Sequence, residues 1–98
     1  MMTQNNSNSI NDINLIRINK MQEILKKKFN PKHLEIIDNS AMHKGHAGAK
    51  SGKGHFELFI KSDYFNELSL IQSHREIYQA LDNLMQTDIH ALQIHVIC

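Results

Sequence analysis

Apolar residues at Leu15, Ile18, Met21, Leu25 and Phe29 recur every three or four positions, the spacing that lines one face of an amphipathic helix. Asn11 or Asp12 can cap its start. Asn30-Pro31 marks its end, because the residue before proline is pushed out of the helical region. Leu34 to Asp38 alternates weakly and is rich in isoleucine, which predicts a short strand. His55 to Lys61 alternates more cleanly, with Phe56, Leu58 and Ile60 on one face and His55, Glu57, Phe59 and Lys61 on the other. Beyond Tyr64-Phe65, Ser69 with Gln72 three residues later has the form of a helix cap. Leu70, His74, Ile77, Tyr78, Leu81 and Leu84 or Met85 then mark a second amphipathic helix. Ile89 to Ile97 closes the chain as a third strand, with Leu92, Ile94 and Val96 inward.

The element order is therefore αββαβ. Two consecutive strands joined by one loop pair antiparallel, whereas strand, helix and strand of this length form a crossover between parallel neighbours. The fold class that results is α/β of the α+β kind, a three-stranded mixed sheet with its helices on one face. Parallel strands start at the same end. His55 begins one of them and His90 the other, and the loop bearing His43 and His46 leads into His55. All four histidines are predicted to gather at one edge of the sheet.

Length and composition bound the rest. Ninety-eight residues make one small domain with one modest core. Residues 1–11 hold little that can pack and are expected to be a disordered tail, leaving 12–98 as the ordered domain. A formal net charge of +1 gives no global pull toward nucleic acid or membrane, so a basic surface has to be local. Cys98 is the single cysteine, which excludes an intrachain disulfide and fits a reducing compartment. No apolar run exceeds three residues. The expectation is a cytoplasmic protein without signal peptide or membrane span, monomeric when alone.

Candidate chemistry concentrates in His43 to Phe56, which holds three of the seven histidines, all four glycines and three lysines. No acidic residue stands between Asp38 and Glu57. Neutral imidazoles suit a metal, lysines suit an anion, and glycines let backbone approach either. The spacing of His43 and His46 is His-x-x-His, a weak signal alone that gains from convergence with His55 and His90. Two or three imidazoles without thiolates are too few for a structural zinc site, which closes four ligands. They suit a metal shared with a partner, and histidine replaces thiolate on one iron of some [2Fe-2S] clusters. Lys44, Lys50, Lys53 and Arg75 form the competing set, phosphate contacts of a nucleic-acid-binding regulator. Gly45-His46-Ala47-Gly48 fits the GxxG backbone clamp, but at a hairpin tip the match reads as chance. His74 falls on the apolar side of its helix and reads as a hydrogen-bonded, partly buried histidine. Cys98 has no positive neighbour to lower its pKa. No nucleophile, base and orienter set is present, so the chain does not read as an enzyme.

Taken together, Leu34-Glu35-Ile36-Ile37-Asp38-Asn39-Ser40, the loop ending His55-Phe56, Ser62 with Phe65, Ser73-His74-Arg75 and Ile89-His90-Ala91-Leu92 resemble the BolA family over residues 15 to 97. The resemblance implies a class II KH-like domain that pairs with a monothiol glutaredoxin. It implies a [2Fe-2S] cluster shared with glutaredoxin and glutathione, and no cofactor when the protein is alone. His90 and His46 match the family's two ligand positions, with His43 and His55 in reserve. It also admits a transcription regulator that binds DNA. Two positions depart from the family pattern. Gly54 replaces a hydroxyl residue, and Ser73 replaces an arginine whose charge would favour DNA.

Overall fold

The computed structural model describes residues 9–40 and 52–98, with side chains in the first helix from Ile13 onward. In chain order the elements are α1 (Ser9–Phe29), β1 (His33–Asp38), β2 (Gly54–Lys61), a 3-10 turn at Asp63–Phe65, α2 (Leu70–Ala80), α3 (Asp82–Thr87) and β3 (Ile89–Val96). The sheet order is β1-β2-β3, with β1 antiparallel and β3 parallel to β2. Both pairings are those the element order predicts. Helix α1 begins at Ser9, so residues 9–11, expected in the tail, are helical.

One face of the sheet carries Phe56, Leu58, Ile60, Leu92 and Ile94, which form a single core with Met21, Leu25 and Phe29 of α1 and Ile77 of α2. Along α1 the lower part of the stripe falls as spaced, but its first turn does not. Leu15 is 60% exposed, whereas Asn14 is 3% exposed. At 100° per residue Asn14 lies in line with Ile18, Met21 and Leu25, and Leu15 is turned well away from them. A buried asparagine is tolerated only because its amide is hydrogen-bonded on both sides, as described below.

The end of α1 is set by Asn30, which takes a left-handed φ of 46° ahead of Pro31 and donates its N–H to Lys26 O at 3.0 Å. The Phe29 carbonyl left over at this terminus accepts from the buried Ser62 Oγ at 2.5 Å. Ser62 Oγ in turn accepts from Tyr64 N, and the Phe29 ring packs on Tyr64 and Phe65 at 4.7 and 4.9 Å. Ser62 and Phe65 thus lock the turn after β2 onto the foot of α1.

The expected cap of α2 is present as a reciprocal pair, Gln72 N to Ser69 Oγ and Ser69 N to Gln72 Oε1. The buried face of α2 starts at Ser73 and continues through Ile77 to Leu81 and Leu84. Leu70, expected on it, is 62% exposed, and Tyr78 lies outside with its hydroxyl donating to Leu92 O at 3.0 Å. Ser73 is 2% exposed. The expected single helix bends at Leu81 into α2 and α3, while Leu81 N to Ile77 O and Met85 N to Leu81 O carry the backbone bonds across.

These placements predict that Leu25→Ala lowers unfolding stability by about 2–5 kcal/mol. Leu15→Ala, on the exposed side, should change it by no more than about 0.5 kcal/mol in urea titrations. Equal losses from the two would refute the helix orientation.

Candidate functional site

Strand β3 enters the sheet irregularly. Gly54 pairs with Ile89 but His55 with Ala91, so one residue of β3, His90, is left over in a bulge. Bulges re-aim side chains. Ile89 and Leu92 are both buried, and His90 and Ala91 between them are both exposed. The His90 ring lies 4.9 Å from that of His55, inclined at 50°. His55 itself is only 5% exposed, so of the pair His90 is the one a partner can reach.

A polar network fixes the strand ends around this pair. Arg17 donates through Nε to Asp88 Oδ2 at 3.2 Å, through Nη1 to Asn14 Oδ1 at 3.0 Å and through Nη2 to Gly52 O at 2.9 Å. Asn14 Nδ2 donates to Asp38 Oδ2 at 3.0 Å and to Ser40 Oγ at 3.4 Å. Ser40 Oγ also accepts from His55 N at 3.0 Å, and Asp88 O accepts from Gly54 N at 2.9 Å. Hydrogen bonds from Thr87 and then Arg17 hold the Asp88 carboxyl below its ordinary range against the opposing effect of burial. Gly54 is sterically required. A Cβ there would stand 2.4 Å from two Phe56 ring atoms and 3.1 Å from Asn14 Oδ1.

The face of the sheet turned away from the core, which Glu57 and Phe59 share with His55 on β2, carries a second pair. His95 Nε2 is hydrogen-bonded to Glu57 Oε2 at 2.7 Å and its ring stacks on Phe59 at 4.4 Å. Hydrogen bonds from Asn39 and then His95 lower the Glu57 pKa.

Of the sequence-predicted site residues, the fold brings His55 and His90 together. His43, Lys44, His46 and Lys50, and with them the GxxG run, lie outside the described residues. Lys53 stands just before β2 and Arg75 is in the middle of α2, on separate elements. His74 is half-buried, but its Nε2 is enclosed without the hydrogen bond expected of it. Cys98 is exposed and free. Among the described residues no group of three or more His, Cys, Asp or Glu is arranged to hold a metal ion, and no helix is long and apolar enough to cross a membrane. Sequence reasoning missed Asn14, Arg17 and Asp88. A polar residue in register with Ile18, Met21 and Leu25 was the available signal for Asn14. The Arg17–Asp88 pair spans 71 positions and leaves no local trace.

Residues 25–98 match the BolA-like protein family. The chain belongs to that family. A BolA-like protein of Dictyostelium discoideum is 42% identical over 77 residues, covering 78% of this chain and 65% of that one. The DNA-binding transcriptional regulator BolA of Escherichia coli is 36% identical over 76 residues, covering 78% and 70%. Among solved structures, the BolA domain of SufE1 from Arabidopsis thaliana superposes with a TM-score of 0.73 at 39% identity, over 82% of this chain and 88% of that one. This BolA-like chain spans only 22% of a SufE-like protein 1 of the same plant. His55 and His90 both lie within the residues 25–98 that match the family.

Two outcomes test this geometry. Gly54→Ala should cost about 1–3 kcal/mol of stability, since the buried Phe56 ring has to move. Because the folded pKa of Asp88 is depressed, its contribution is present above the ordinary value of 3.8 and is lost as pH falls through the lower folded value. Wild type should therefore exceed Asp88→Asn in stability at neutral pH, and the gap should close in acid below 3.8.

Proposed function

We propose that this BolA-like protein is an adaptor that pairs with a monothiol glutaredoxin and helps to bind, transfer or sense a [2Fe-2S] cluster. The observation that carries the reading is the exposed His90 imidazole, lifted by a β-bulge and backed by the buried His55 ring. The donor set fits such a group as one side of a shared site. An imidazole nitrogen is a precedented iron ligand, and the described residues offer too few donors to close a site alone. His90 is the ligand from the sheet, and His46, with His43 as its neighbour in sequence, supplies the second from the glycine-rich segment. Glutathione and the glutaredoxin supply thiolates. When bound, the cluster supplies one-electron chemistry and transferable iron and sulfide, and imidazole ligation raises its potential. His55 is buried and supports His90 instead of reaching the metal. The setting is the cytoplasm, where glutathione is kept reduced.

A second reading, a nucleic-acid-binding regulator, is favoured by the name of the E. coli relative. It would use Lys44, Lys50, Lys53 and Arg75. Three loop lysines on phosphates give a salt slope no steeper than about minus three.

The deciding experiment titrates the protein into a glutathione-containing, cluster-loaded monothiol glutaredoxin, followed by visible absorption and circular dichroism. Wild type should alter the spectrum and His90→Ala should fail to reproduce the change. No change with either protein would sink the adaptor reading. DNA binding at low salt that weakens when the loop lysines become glutamine, and that ignores His90→Ala, would put the regulator in its place.

A further inference from the structure

The first turns of α1 carry two polar side chains toward the histidine end of the sheet where a helix packed on a core needs apolar ones. Asn14 occupies the core-facing stripe, and Arg17 sits one turn further along with its side chain 12% exposed. Between them they touch every strand end at that edge. Asn14 holds Asp38 and Ser40, where β1 ends, and Arg17 holds Gly52, just before β2. Arg17 also holds Asp88, the residue before β3, whose carbonyl accepts from Gly54 N. Asp88 is two residues before His90, and His55 N is tied to Ser40 Oγ. The arrangement requires arginine. Three donors leave one planar guanidinium in divergent directions, which the compact ammonium of lysine does not reproduce.

We propose that Arg17, with Asn14, is a positioning clamp for His90. It holds Ser40, Gly52 and Asp88 in one arrangement and thereby fixes the bulge from which His90 is presented to the shared cluster. The inference rests on the adaptor reading above. Without Arg17, Asn14 Oδ1 and Asp88 Oδ2 lose a donor in a poorly solvated place, and the entrance to β3 is free to shift. His90 then keeps its imidazole but loses its fixed position. Residues that orient ligands in this way typically govern metal affinity by about 10–100-fold.

The test uses the full chain as wild type, Arg17→Gln, Arg17→Lys, His90→Ala and, as a charge-loss control, Lys26→Gln in the exposed last turn of α1. Amide hydrogen exchange comes first. In Arg17→Gln the Gly54 and His55 amides should exchange about tenfold faster or more, with those of Leu58 and Ile60 unchanged. Unchanged exchange at Gly54 and His55 overturns the clamp. Each protein is then titrated into the cluster-loaded glutaredoxin. Arg17→Gln should give the wild-type spectral shape at a midpoint raised about tenfold or more. Arg17→Lys should fall between, and Lys26→Gln should match wild type. A merely structural role would lower the melting temperature but leave the midpoint of the folded variant unmoved, and that result overturns the positioning role while the adaptor reading stands. No spectral change with wild type overturns the adaptor reading, whereas a His90→Ala spectrum that changes as wild type does overturns His90 as the ligand, and the positioning role with it. Should Arg17→Gln fail to fold, Arg17→Lys decides by the same two readouts.

Discussion

Strand β3 has to bury Ile89 and Leu92 against the same helices, and three residues apart they cannot both face one side of a regular strand. The conflict is resolved by one extra residue, and that residue is His90. Everything of functional interest at this end follows from the resolution. The bulge turns His90 outward, sets its ring against His55 and leaves the parallel register with β2 intact from His55 to Ile60. The hydrophobic effect that buries two side chains thus produces the exposure of a third.

What keeps the bulge in place is polar. Asn14, Arg17, Asp38, Ser40 and Asp88 come from the first helix and two strand ends, and each carries at least one partner in a continuous network. Buried polar groups are costly when half-satisfied and stiffening when complete, so the network ties the strand ends to α1 as one unit. Gly54 belongs to the same constraint, because a side chain there would collide with Phe56 and crowd Asn14. At the other end of the sheet the work is apolar. Phe29, Tyr64 and Phe65 pack together, and Ser62 satisfies the last carbonyl of α1.

The two ends therefore differ in kind. One is sealed, whereas the other presents the exposed His90 imidazole beside the His55 ring. A protein that holds a metal alone closes its ligand set internally, whereas an adaptor offers part of a set on a rigid mount. A single exposed imidazole on a braced strand end is compatible with the second description.

Element order, strand pairing and the convergence of His55 with His90 were legible in the chain, since periodicity names the elements and crossover rules allow one arrangement of them. The family was legible as well, in short motifs spread from Leu34 to Leu92. Exact faces were less so. Leu15 and Leu70 looked like core and are exposed, while Asn14 and Ser73, which the apolar pattern left out, are buried, because hydrophobicity does not say where a helix first meets the sheet. The bulge could have been read from the broken parity of Ile89, Leu92 and Ile94. The Arg17 clamp could not, because it joins residues separated by 35 and 71 positions through side-chain geometry that exists only once α1 lies across the strand ends. Local pattern determines which elements form, and packing alone determines which polar groups meet.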